Sequence, residues 1–172
     1  MTAYVALLRA INVGGTGKLP MRDLSLLCEG AGFACVKTYI QSGNVVFTSR
    51  LAEGKVKAKL EPLLAKQVGK PVGVMIRSAA ELASVVKRNP FPRAEPNRLV
   101  VMFLDAAPER NALAGLVIPG REQVKLDGRE IFVWYPDGQG TSKLKLPLAQ
   151  IGTGRNLNTV TKLVAMAQAL VS

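Results

Sequence analysis

Three short polar clusters hold the residues of this chain that could do chemistry. The first is Asn12–Lys18, Asn-Val-Gly-Gly-Thr-Gly-Lys. A loop of this composition, with Gly14 and Gly15 at its centre, can turn backbone N–H groups toward an anion while Lys18 adds charge. It is not a Walker A loop: Asn12 stands where the leading Gly is needed, and Leu19 stands where Ser or Thr would follow the lysine. Nor do its glycines supply G-x-G-x-x-G. An anion cradle and a plain chain reversal both fit it. The second cluster is Thr38–Asn44, in which Tyr39 and Gln41 share a strand face and Ser42 and Asn44 flank Gly43. The third joins Ser142-Lys143 to Arg155-Asn156-Leu157-Asn158-Thr159. Arg155 and Asn156 read as the start of the last helix, where a guanidinium and unpaired N–H groups suit an anion. Asn156 alone reads as an ordinary N-cap. Arg9, just past the first strand, completes the candidate ligand-binding set.

The missing residue types exclude several chemistries. There is no histidine, so Ser-His-Asp and Cys-His catalysis and His-ligated metals are ruled out. The acids are dispersed, with no D-x-D or E-x-x-E, which gives no hydrolytic metal site. Cys28 and Cys35 are expected to be buried, reduced thiols without a disulfide. No metal and no cofactor are expected. The net charge is +11, from 23 Lys and Arg against 12 Asp and Glu. That is the footprint of a nucleic-acid binder or of a generally basic surface. The dispersal of the charges favours weak, salt-dependent contact with phosphates over a specific site. The N-terminus lacks a signal peptide pattern and no apolar run reaches membrane length, so a cytoplasmic protein without membrane contact is expected. No feature of the sequence specifies an oligomeric state.

The elements that must position these clusters follow from periodicity. Tyr4–Leu8 reads as a strand buried on both faces. Met21, Leu24, Leu27 and Ala31 recur at helical spacing, with Pro20 at the first position. Residues 36–41 and 45–48 form a hairpin around Ser42-Gly43-Asn44. Val56, Leu60, Leu63, Leu64 and Val68 mark a second helix that Pro62 should kink or shorten. Val72–Arg77 is a strand, and Ser78 with Glu81 forms a capping box opening the helix that runs to Arg88. This βαββαβ order is ferredoxin-like. Asn89–Asn97, with three prolines, reads as a connecting loop. Phe91 in it is expected to plug a core rather than face water. A second half follows: strand 98–104, helix 108–116, two strands around Asp127-Gly128, helix 142–151 and a terminal helix along Leu157, Val160, Val164, Ala167 and Val171. The expected class is α+β: two ferredoxin-like halves, residues 1–88 and 98–172 joined by 89–97, with mainly antiparallel sheets and a shared C-terminal helix.

The stretch Tyr4–Phe47, with Tyr4-Val-Ala-Leu-Leu-Arg-Ala-Ile-Asn-Val-Gly-Gly15 and Thr38-Tyr-Ile-Gln-Ser-Gly-Asn-Val-Val-Phe47, closely resembles the bacterial family called domain of unknown function 1697. Asn89-Pro-Phe91, Ser142-Lys143 and Arg155–Thr159 resemble its later segments, with Leu157 where that family usually carries Trp. The resemblance implies the fold and names no reaction. Three functional classes stay open. The first is a binding module for a phosphate-bearing ligand such as a nucleotide or nucleic acid. The second is a small metal-independent enzyme using Tyr39, Lys18 or Lys143. The third is a basic scaffold without a small-molecule site.

Overall fold

The computed structural model describes residues 1–12 and 18–171. Val13–Gly17, and with them the candidate ligand residues Gly14 and Gly15, lie outside the described residues. The chain divides into two compact units, Met1–Ala83 with Lys162–Ser172, and Ser84–Thr161.

In the first unit β1 (Thr2–Leu8), α1 (Met21–Gly30), β2 (Ala34–Tyr39), β3 (Asn44–Ser49), α2 (Glu53–Val68) and β4 (Val74–Ser78) build a four-stranded sheet of order β2-β3-β1-β4. Every pairing in it is antiparallel, and β1 lies between β3 and β4. The apolar runs of β1 and β3 need burial on both faces, and their side chains are buried from Ala3 to Leu8 and from Asn44 to Ser49. Leu24 and Cys28 of α1, with Val56, Leu60 and Leu64 of α2, close the core over Tyr4, Phe33, Phe47 and Ile76. Phe33 and Phe47 stack with ring centroids 4.3 Å apart and planes 7° from parallel.

Pro62 does not break α2, which runs through it as one helix. The apolar stripe outweighs the one backbone bond that proline removes. Two side chains also tie α2 to β4. The Lys57 ammonium donates to the Val74 carbonyl at 2.7 Å, and the Val74 N–H donates to Glu61 at 3.2 Å. The capping box opens α3 (Ala79–Lys87) as the sequence predicts: Ser78 N–H donates to the Glu81 carboxylate, and Glu81 N–H donates to Ser78 Oγ.

In the second unit β5 (Leu99–Phe103), β6 (Gln123–Asp127), β7 (Glu130–Trp134) and β8 (Thr153–Asn156) pair antiparallel in the order β6-β7-β5-β8. This is the order of the first sheet again. Gly128, with φ +63°, is the first central residue of the β6–β7 turn, as a II′ hairpin requires.

Three expectations fail here. Residues 108–116 form turns rather than a helix, because nine residues with few large apolar side chains cannot hold a helix alone. Residues 142–146 are not helical, and only Pro147–Gln150 coils, as a 3-10 turn. There Lys143, Lys145 and Pro147 are exposed while Leu144, Leu146 and Leu148 are half-buried, the alternation of an extended chain. Strand β8 was not predicted, because Arg155 and Asn156 read as the start of the last helix and Gly152 and Gly154 carry no strand signal. They are needed by close packing: a Cβ on Gly152 would lie 2.6 Å from the Phe103 carbonyl oxygen, and one on Gly154 3.1 Å from Val100.

The terminal helix α4 (Leu157–Ala169) begins in the second unit and ends in the first. Cys28 is buried as expected and its thiol is pushed up to about 12 by burial and then by Glu29. Cys35 is exposed, contrary to expectation, at φ +54° in a bulge of β2. No helix among the described residues is long and apolar enough to cross a membrane.

Candidate functional site

The first two clusters meet in the first unit. Asn12 has φ +59°, a conformation that Asn tolerates better than most residues. Its side-chain amide acts as a peptide mimic. Oδ1 accepts the Leu19 N–H at 2.7 Å while Nδ2 donates to the Leu19 carbonyl at 3.0 Å. The same Nδ2 donates to the Gln41 carbonyl at 2.8 Å. Asn12 thus ties the two ends of the glycine segment to each other and to the β2–β3 loop.

That loop is fixed from its other side. Asn44 is fully buried, and its Nδ2 donates to the Tyr39 carbonyl at 2.9 Å and to Ser42 Oγ at 3.0 Å. Gly43 has φ +88°, and a Cβ there would lie 3.0 Å from Leu8 Cβ. Both facts demand glycine. The Gly43 carbonyl accepts the Leu8 N–H, and Arg9 N–H donates to Gly73, each at 2.9 Å. Tyr39 is half-buried and contributes its carbonyl to this lattice.

A cleft of about 450 Å³ opens beside it, lined by Asn12, Lys18, Pro20 and Gln41. Pro20 occupies the N-cap of α1, one place earlier than predicted, and no side chain caps that helix. The first-turn acid Asp23 lines a different groove, with Leu27, Leu63 and Lys66. The cleft therefore presents one ammonium, two amides and the start of a helix dipole, with no carboxylate among its described lining residues.

The third cluster belongs to the second unit and falls into two parts. Ser142 Oγ donates to Glu122 Oε1 at 2.7 Å and accepts the Leu144 N–H, while Gly120 N–H donates to Glu122 Oε2 at 2.9 Å. These bonds, that from Ser142 first, hold the Glu122 carboxyl below the usual carboxylate range. The pair lines a cleft of about 200 Å³ with Lys143, Tyr135 and Asp137. Burial, and then Glu122, pushes the Tyr135 phenol up. Arg121 pairs with Asp137, and its hydrogen bond is the first cause of the lowered Asp137 carboxyl. Glu122, Tyr135 and Asp137 had no legible link to Ser142, since no motif spans the twenty residues from Glu122 to Ser142.

Arg155 lies in β8 and not at the start of a helix, and it is only 7% exposed. Its Nη1 donates to Thr153 Oγ1 at 2.6 Å and to the Gly154 carbonyl at 2.9 Å. Burial lowers its guanidinium to about 10. Asn156 is the N-cap that the sequence suggests, its Oδ1 accepting the Thr159 N–H at 2.9 Å. Phe91 is half-buried against Trp134 at 5.7 Å. Arg88 bridges Asp127 and Glu130. Against its burial, the hydrogen bonds to Glu130 and Asp127 keep the Arg88 guanidinium above its ordinary value.

Among the described residues, no group of three or more Cys, Asp or Glu side chains could hold a metal ion. No curated protein matches the chain. A solved structure titled as that of the conserved bacterial protein SP0830 from Streptococcus pneumoniae is similar, at 25% identity and a TM-score of 0.81, over 96% of this chain and 98% of that one. The likeness extends over both ferredoxin-like halves. The family described as protein of unknown function (DUF1697) matches residues 1–132. Those residues span β1 to β7 and include Asn12, Gln41 and Asn44, whose bonds shape the cleft, so this chain belongs to the DUF1697 family.

Proposed function

We propose that this protein is a binding module for a small phosphate-bearing anion, held in the first-unit cleft at Lys18, Gln41 and the start of α1. One observation carries the reading: the cleft's described lining is cationic and amide-rich and lies at a helix start that no side chain caps. Unpaired N–H groups there favour negative charge. The Asn12 amide is already bonded to Leu19 and Gln41, so its role is to hold the cleft in shape. Lys18 and the Gln41 side-chain amide are the groups that would meet the ligand. The +11 charge adds a second, weaker behaviour, contact with nucleic acid through counterion release.

Calorimetry with pyrophosphate and with a nucleoside triphosphate, at low salt, tests the reading. Lys18→Ala should weaken binding by about tenfold, the worth of one charge-assisted contact, with no loss of melting temperature because Lys18 is exposed. Single-stranded nucleic acid should instead lose affinity steeply between about 50 and 200 mM salt and respond little to Lys18→Ala. Absence of binding at low salt, or pyrophosphate binding indifferent to Lys18→Ala, would sink the proposal.

A further inference from the structure

The second unit lacks the helices that cover the first, and a groove opens where turns stand instead. It has a volume of about 410 Å³ and is lined by residues 112–117, Pro119, Lys143, Lys145, Pro147 and Leu148. That size is in the range of small-molecule sites. One wall is the turn segment, where Gly115 takes φ +79° and Val117 is 76% exposed. The other is the extended segment 143–146 with the first two residues of the 3-10 turn that follows it. Its Leu144, Leu146 and Leu148 pack inward on the core with Leu113. Lys143, Lys145 and Pro147 are left on the outer side, facing the groove.

The lining is apolar except at one place. Lys143 and Lys145 are two residues apart on an extended chain, so their Cα atoms are about 6.5 Å apart. Both ammonium groups can then reach one small anion, one to each oxygen of a carboxylate. No acidic residue lines the groove. Neither lysine forms an ion pair or hydrogen bond among the described residues. An apolar trough with a cationic end matches an apolar chain with an anionic end. We propose that this groove is a site for a medium-chain fatty carboxylate, its chain along Ala114, Val117 and Pro147 and its head between Lys143 and Lys145. The site is separate from the first-unit cleft and does not depend on the function proposed for it.

Chemical-shift titration of the full chain with hexanoate, octanoate and decanoate, below their micelle concentrations, tests this. Decyltrimethylammonium serves as the cationic control. Affinity should rise by about two- to fourfold per added methylene, the upper figure being full burial. Shifts should concentrate at 112–119 and 143–148. The exposed-site variant Lys143→Glu/Lys145→Glu should weaken decanoate by about tenfold while the melting temperature holds. Val117→Asp should flatten the dependence on chain length. The proposal fails if the cation binds as well as decanoate, if chain length has no effect, or if the shifts map elsewhere. It also fails if only anionic vesicles, and no monomeric acid, bind.

Discussion

The two units solve one packing problem twice, with different material. Their sheets have the same order and matching registers. Val5 of β1 lies opposite Val46 and Arg77, and Val101 of β5 lies opposite Phe132 and Arg155. From that alignment other residues fall into place. Asn44 and Glu130 begin the third strand of each sheet, opposite Leu7 and Phe103, and both are buried. Ser78 and Asn156 end the fourth strands and cap the helices that follow. What differs is the cover. The first sheet carries α1 and α2, whose core residues Leu24, Leu60 and Leu64 are fully buried. The second carries turns and one 3-10 segment, whose Leu113, Leu144 and Leu146 are only half-buried. A sheet of given order therefore does not need helical cover. It needs enough apolar side chains over one face, and an extended segment alternating Leu with Lys supplies them.

The largest expected effect tests that difference in cover. Leu60→Ala should cost about 2–5 kcal/mol, the range for emptying a fully enclosed leucine site. Leu146→Ala should cost less, about 1–2 kcal/mol, since part of its side chain is already in water. Chemical denaturation of both variants checks the pair. Equal costs would mean that the turn cover is as tight as the helical one and would remove the contrast.

Next in size is the arginine pair. Arg77 is 1% exposed, and its Nη1 donates to the Ile76 carbonyl at 2.9 Å. Arg155 makes the same bond to the residue before it, Gly154, also at 2.9 Å. The sequence invites a ligand role for Arg155 and offers none for Arg77, yet the two hold one structural position. Arg77→Ala and Arg155→Ala should each cost about 2–4 kcal/mol through lost packing and unsatisfied oxygens. In a chain of this size each kcal/mol is worth about 2–4 °C of melting temperature. A variant of one that melts like wild type while the other unfolds would break the equivalence.

How much was legible follows from the kind of signal each element sends. β1, α1, the β2–β3 hairpin and the capping box are local patterns, and each is present. Arg155 was misplaced because Arg155 and Asn156 read as the start of the last helix, and Gly152 and Gly154 carry no strand signal. Only the neighbouring strand shows that they are flat spots under Phe103 and Val100. Residues 142–151 were read as a helix although Lys143-Leu144-Lys145-Leu146 has a period of two. Pro147 fits either a break in that helix or the start of its second part, and the alternation before it should have decided. In the candidate cleft Asn12 and Gln41 were named from composition. That Asn12 spends its amide on Leu19 and Gln41 depends on a contact across 29 residues, which no local pattern encodes. Glu122 was invisible for the same reason.

The smallest expected effect concerns the side-chain ties that hold the cover in place. In the first unit Lys57 and Glu61 fasten α2 to β4. In the second, Glu122 fastens the segment at Gly120 to the one at Ser142. The Ser142 hydroxyl is the first cause of the lowered Glu122 carboxyl, with backbone N–H bonds and that of Gly120 adding to it. A carboxyl lowered on folding stabilises the native state at pH above its unfolded value, about 4.3 for Glu. That contribution is lost as pH falls through the lower, folded value. The group is exposed, so solvent screens the gain and the global melting curve should barely move. The local signal should be clear. The Glu122 carboxyl should titrate below the ordinary glutamate value by NMR, and Ser142→Ala should move its midpoint up toward that value. Amide exchange at Leu144, whose N–H donates to Ser142 Oγ at 3.1 Å, should quicken in the variant at every pH. Measured against the intrinsic exchange rate at each pH, the wild-type amide should lose protection only in acid. A midpoint indifferent to Ser142→Ala would show that the backbone N–H groups alone set the tie, and that the turn cover stands without the serine.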